Sequence, residues 1–269
     1  MSAPLPMSAF VQAVGLFAPG LPNWSTSLAT LNGEQLYAAS DAGIAPPQPQ
    51  LLPPNERRRA PLSVLLALHA AEDAVQRSGI AAGDLPSVFG SSDAEMAIIH
   101  RISSALAEPA RSVSPTDFHN SVHNAAAGYW GIAARATRSA TTLAAFDGTC
   151  VAALQESFAL LADGERAVLL VLYDVPPPVP LYEKRPIEVP VAVALVLSRE
   201  SSTASLASVR LDRADTETQL PDPTLERLRR ANPAARVLPL LCAIARGSEE
   251  LVGLRAQSGR IVGVRVSRP

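Results

Sequence analysis

Apolar residues along this chain follow two periods, and the period switches several times. Phe10 to Phe17 is a short apolar run closed by Pro19-Gly20 and predicts a strand. Beyond Pro61, Leu62, Leu65, Leu66, His69, Ala70 and Ala74 fall on one face at helical spacing. Pro61 suits the opening turn of that helix and Gly79 its stop. Ser87 to Gly90 reads as a short strand, followed by a helix through Ile98, Ile99, Ile102 and Leu106 with Ser92 or Asp93 as its cap. A further helix is predicted from about Asn124 to Arg138, then a strand at Thr141–Phe146 and a helix at Thr149–Ala162. Ala167–Tyr173 is an unbroken apolar run, as expected of a strand buried on both faces.

Residues 60–174 therefore alternate between helix and strand, which predicts an α/β layered fold. Residues 18–60 are rich in Pro, Gly, Ser and Asn and lack a period, so an irregular segment packed on the surface is expected. It ends in Arg57-Arg58-Arg59, which reads either as a solvated patch or as a docking surface for an acidic carrier. Val175-Pro-Pro-Pro-Val-Pro180 predicts a stiff connector. Strands at Val191–Ser198 and Ser205–Leu211 follow, then helices at Pro223–Ala231 and Val237–Arg246. A hairpin of Leu251–Ala256 and Ile261–Val266, turned at Gln257-Ser258-Gly259, closes the chain. At 269 residues the chain is long enough for one large domain or two small ones.

Composition narrows the classes. With 48% apolar residues the chain can build a sizeable core, and a net charge of −2 implies no general affinity for nucleic acid or anionic membranes. The opening residues lack the charged and apolar regions of a signal peptide, and no run reaches the roughly 18 apolar residues of a membrane span. Cys150 and Cys242 give no disulfide framework. A soluble cytoplasmic protein is expected.

The chemistry candidates are few. Asp147-Gly-Thr-Cys150 places a cysteine where a strand turns into a helix. Such a turn can project the sulfur, and a helix N-terminus favours the thiolate. The bland reading is a small residue buried at a helix start. His119 and His123 could share one helix face, but no third ligand with sensible spacing accompanies them, so no metal is expected. Gly90-Ser91-Ser92 reads as a helix cap. The chain has no phosphate-loop, HExxH or CxxC pattern, and no cofactor is expected.

Two segments carry a family likeness: Ser114 to Ala133, with Phe118-His-Asn-Ser-Val-His-Asn-Ala-Ala-Ala-Gly128 as its specific part, and Thr141 to Leu154. Together they resemble the middle of a β-ketoacyl synthase of the thiolase type. More closely, residues 10–200 are similar to the small ketoacyl-synthase-like chain-length factors of aryl polyene and xanthomonadin-type pigment clusters. The resemblance implies a thiolase-like layered fold with a truncated second half: residues 10–174 as the first half and 189–269 as the abbreviated second. It also implies a heterodimer with a full-length β-ketoacyl synthase, acting on chains carried by acyl carrier protein.

Asp147, Cys150 and Val151 to Leu154 match the nucleophile register of the synthases. Active members carry two histidines, or a histidine and an asparagine, after that cysteine. Here His69, His100, His119 and His123 all precede Cys150. The resemblance thus implies a subunit without catalysis of its own, although related polyketide factors usually lack a cysteine at this position. Phe118, His119, Asn120, His123, Asn124 and Tyr129 become candidates for the interface and acyl pocket. Phe118, Tyr129 and Trp130 are the bulky candidates for a pocket floor. Two alternatives stay open: a Cys150-dependent acyltransferase or thioesterase using His119 or His123, and a stand-alone binding protein of the thiolase fold.

Overall fold

The structure is a computed structural model that describes residues 8–39 and 46–269; part of the segment expected to be irregular, and the opening residues, lie outside them. The strands are β1 (Ser8–Phe17), β2 (Ser87–Gly90), β3 (Ala140–Leu143), β4 (Ala167–Asp174), β5 (Val191–Ser198), β6 (Ala207–Arg213), β7 (Glu250–Arg255) and β8 (Ile261–Ser267). The helices are α1 (Trp24–Leu31), α2 (Pro54–Arg59), α3 (Leu62–Ser78), α4 (Met96–Ala107), α5 (Pro115–Asn120), α6 (Ala125–Ala133), α7 (Thr149–Ala162), α8 (Leu181–Lys184), α9 (Pro223–Ala231) and α10 (Leu238–Arg246).

All eight strands form one sheet in the order β3-β2-β4-β5-β1-β6-β8-β7. β2 runs parallel to β3 and β4, whereas β5 is antiparallel to its neighbours β4 and β1. The proline-rich connector therefore joins two paired strands, with Asp174 opposite Val191.

The sheet is the middle of three layers because its central strands are apolar on both faces. On β4, Val168, Leu170 and Leu172 face α7 and the 3₁₀ turn at residues 233–237, while Leu169, Val171 and Tyr173 face α3. On the α3 side the strands carry Ala13, Gly15, Ala192 and Ala194. These small residues let the helix backbone come close: a Cβ on Gly15 would lie 2.0 Å from the Ala70 carbonyl oxygen. Gly79 ends α3 at φ 68, as its sequence position predicts.

Several expectations need correction. Leu62 does not join the buried face of α3; it is exposed at the first residue, and Ser63, Val64, Ala67 and Leu68 are buried instead. The helix is wedged between sheet and neighbours, so burial extends beyond one stripe. Neither Ser92 nor Asp93 caps α4, which follows Glu95 without a side-chain cap. The hydroxyls of Ser91 and Ser92 turn instead to the Asp174 carboxylate.

Ile99 and Leu106 on α4 stay exposed although their spacing suggested core. The helix expected to reach Arg138 ends at Ala133, where Arg135 at φ 53 reverses the chain. β3 stops at Leu143 rather than Phe146, and a 3₁₀ turn occupies residues 146–148. The proline-rich stretch after β1 holds two short helices; Asn23 caps α1, its Oδ1 accepting from the Thr26 amide at 3.0 Å. α5 likewise escaped notice, although Ser114 and Pro115 form a cap and first turn.

Candidate functional site

The elbow that carries Cys150 lies where β3 passes into α7. Phe146 holds φ 51, an uncommon value for a residue with a side chain. Thr149 locks the turn from inside: its hydroxyl donates to the Phe146 carbonyl at 2.7 Å and accepts from the Ala145 amide at 3.0 Å. Gly148 admits the β7–β8 hairpin, since a Cβ there would sit 2.1 Å from the Gln257 nitrogen.

Cys150 is the second residue of α7 and only 2% exposed. Burial pushes its thiol up to about 12, against a smaller pull from the nearby Arg236 guanidinium. Desolvation thus outweighs the helix N-terminus, and the sulfur is a neutral thiol at physiological pH. The Asp147 carboxylate turns to arginines: Oδ1 meets Arg185 Nη1 at 2.7 Å and Oδ2 meets Arg236 Nη2 at 3.1 Å. Arg185 Nε also reaches Asp93 at 3.2 Å, and its guanidinium lies 3.7 Å above the Phe146 ring centre.

The histidines are engaged elsewhere. His123 Nε2 sits 3.1 Å from the Ser91 carbonyl oxygen, His119 packs edge-on against Tyr129, and His69 packs edge-on against Phe17. His119 belongs to α5 and His123 to the turn after it, so the two do not share a helix face. No group of three or more His, Cys, Asp or Glu side chains among the described residues is arranged to hold a metal.

The remaining candidates divide. Asn120 is buried, and its Nδ2 donates to the Arg59 carbonyl at 3.4 Å, tying α5 to α2. Asn124 precedes α6, exposed and without a capping bond. Phe118 is 71% exposed, Tyr129 is half-buried, and Trp130 is fully buried in the core. Trp130 is thus a packing residue and not a pocket floor.

Sequence reading missed Arg185, Arg236, Asp93 and Asp174. Asp174 ends the apolar strand β4, and that isolated charge was the available signal. Its Oδ1 accepts from the Ser91 hydroxyl, the Ser92 amide and the Ser92 hydroxyl at 3.0, 2.8 and 3.0 Å. Burial nevertheless pushes the carboxyl up to about 7, the three hydrogen bonds offsetting only part of the desolvation.

The two sheet edges differ. β7 is covered by residues 216–218: the Thr218 amide donates to the Gly253 carbonyl, and the Gly253 amide to the Thr218 hydroxyl, each at 2.9 Å. β3 has no backbone partner on its outer side among the described residues. Beside it, Ile132 on α6, which packs against β3, and Phe146 just after β3 leave apolar surface uncovered, Ile132 at 83% exposure; Ile99, Leu106, Phe118 and Val122 are exposed on α4, α5 and the turn after α5.

None of the curated proteins matches this sequence. The family described as β-ketoacyl synthase, N-terminal domain, matches residues 33–251. The chain belongs to this β-ketoacyl synthase family.

Among solved structures, a ketosynthase in complex with its chain length factor from Xenorhabdus doucetiae is 22% identical with a TM-score of 0.72. The match covers 97% of this chain and 99% of that one. A type II PKS acyl-carrier protein in complex with its ketosynthase bound to the hexaketide gives 12% identity and a TM-score of 0.72, over 98% and 100% of the chains. A β-ketoacyl synthase from Burkholderia phymatum is 16% identical with a TM-score of 0.58, over 86% of this chain and 70% of that one.

The resemblance to the β-ketoacyl synthases read from the sequence is borne out, as is the α/β thiolase-like fold with an abbreviated second half. Within this β-ketoacyl synthase domain, Cys150 sits buried at the start of α7, on a turn whose desolvation pushes its thiol up to about 12.

Proposed function

We propose that this chain is a non-catalytic chain-length-factor subunit. It pairs with a full-length β-ketoacyl synthase, and the pair elongates polyene or fatty-acyl chains bound to acyl carrier protein. The observation that carries this reading is the contrast between its two sheet edges. β7 is covered, whereas β3 is open, with the exposed apolar side chains of Ile132 and Phe146 beside it. An open edge beside an apolar patch favours pairing with another sheet.

Phe118, His119, Asn120, His123, Asn124 and Tyr129 lie on the helices and turn of this side, so the same elements serve as interface and wall of the partner's acyl pocket. In this reading Phe118 and Tyr129 are the bulky residues available to limit chain length. Residues 10–174 and 189–269 are the two unequal halves of one domain, and the subunit works in the cytoplasm without a cofactor.

The buried neutral thiol of Cys150, with no histidine hydrogen-bonded to it, counts against an acyltransferase or thioesterase. The test is co-expression with a full-length synthase and an elongation assay of wild type against Cys150→Ala. Co-purification with unchanged elongation supports the proposal. An intact complex whose elongation collapses assigns chemistry to Cys150 instead, and a chain that stays alone favours a separate binding protein.

A further inference from the structure

Between β4 and β5 the chain crosses the end of the sheet where the elbow lies. This crossing, residues 175–187, is fastened at both ends by the buried side chains of Val175 and Ile187. Its middle is poorly anchored: Val179 is 69% exposed, and Tyr182 is also exposed. One side chain near its far end, just before Ile187, ties it to the elbow. Arg185 reaches Asp93 on the β2–α4 loop and Asp147 in the elbow, and it covers the Phe146 ring. Arg236 grips the second oxygen of Asp147 from the opposite side.

This cluster differs from ordinary surface pairs. Arg185 and Asp93 side chains keep only 16% and 15% of their exposure, so solvent screens their attraction little. Arg185 Nη2 and Arg236 Nε are buried without a partner among the described residues. Arg236 relies on Asp147 and Arg185 on Asp147 and Asp93, so loss of Arg185 leaves the half-buried Asp93 carboxylate without its partner. The elbow below is itself held in an uncommon backbone conformation at Phe146.

We propose that residues 175–187 form a strap, pinned by Arg185, that seals the elbow and keeps Cys150 from reacting. The inference rests on the reading of Cys150 as chemically idle and names what makes it so. It also explains how a cysteine can persist at the nucleophile-like position of a partner subunit without side reactions.

The test is alkylation by iodoacetamide at about pH 8, in which the thiolate sulfur displaces iodide and the thiol proton passes to buffer. Peptide mass mapping separates Cys150 from Cys242, which is equally buried and serves as internal control. In Arg185→Gln, Cys150 is expected to label at least about tenfold faster than in wild type while Cys242 is unchanged, as local opening requires. Arg185→Lys is expected to fall between, because an ammonium keeps the charge but not the fork or the stacking.

An unchanged Cys150 rate in Arg185→Gln overturns the proposal. So does a parallel rise at both cysteines, which reports general loosening, and so does rapid labelling of wild type. Should Arg185→Gln not fold, Arg185→Lys takes its place: Cys150 must then gain on Cys242 relative to wild type, and an unchanged ratio overturns the strap. Labelling is read on the chain alone, so its outcome is independent of whether a synthase partner binds or Cys150→Ala elongates.

Discussion

Asp174 shows how one buried carboxyl couples the fold to pH. Burial pushes its carboxyl up to about 7, well above the usual carboxylate range, so the folded state holds the proton more tightly. The stability this proton supplies is complete below about pH 4 and lost as pH rises through about 7. Asp174→Asn removes the charge and keeps an acceptor for Ser91 and Ser92. The stability of the variant relative to wild type is therefore expected to be higher at pH 8 than at pH 5, by about 3 kcal/mol at most. Thermal melts at the two pH values check this; an equal difference at both would remove Asp174 as the titrating group.

Two aromatic residues of the same segment are expected to behave oppositely. Trp130 is fully buried, and Trp130→Ala should cost about 3–5 kcal/mol in denaturant unfolding. Phe118 is 71% exposed, so Phe118→Ala should move the stability of the isolated chain by less than about 0.5 kcal/mol. In the proposed heterodimer the same change should weaken partner binding by at least about 1 kcal/mol, measured by titration of the synthase.

At the scale of elements, the edge strand β3 is the telling one. Its register with β2 is parallel, and the Ser87 and Ser91 amides bond to the Ser139 and Leu143 carbonyls. Alternation along a parallel ladder then turns the Thr142 amide outward. Thr142→Pro removes a donor that the sheet does not use, a position where an edge strand tolerates proline. The variant is expected to stay folded by circular dichroism and to lose co-purification with the synthase. Retained co-purification would show that pairing does not run through β3. Elements whose sequence carried both a period and a stop signal were legible: β2, α7 and α9 have the predicted bounds, and α3 ends at Gly79. α1, α2 and α5 were not, because helices of six to eight residues show too few turns for a period to emerge.

For the whole molecule, the exposed apolar residues concentrate on α4, α5, α6 and the turn after β3. α4 and α5 are joined by the Arg101–Asp117 ion pair at 2.7 Å, which holds the Asp117 carboxyl below the usual carboxylate range. That pair is exposed and screened by salt, whereas apolar burial and strand pairing are not. A heterodimer formed here is expected to survive about 1 M NaCl on size exclusion. Dissociation at that salt would point to an interface of charges in place of the apolar face.

The sequence by itself determined the alternation of strand and helix, the placement of Cys150 on an elbow and the position of all four histidines before Cys150. These are local or compositional properties, fixed by neighbours in the chain. Only the tertiary structure decided that Ile99 and Leu106 face outward, that Trp130 belongs to the core and that Cys150 is sealed. Burial depends on what packs from afar: Arg185 and Arg236 reach Asp147 across 38 and 89 residues. No periodicity records such a meeting. The difference between a reactive thiolate and a neutral thiol therefore rests on desolvation, which the fold supplies.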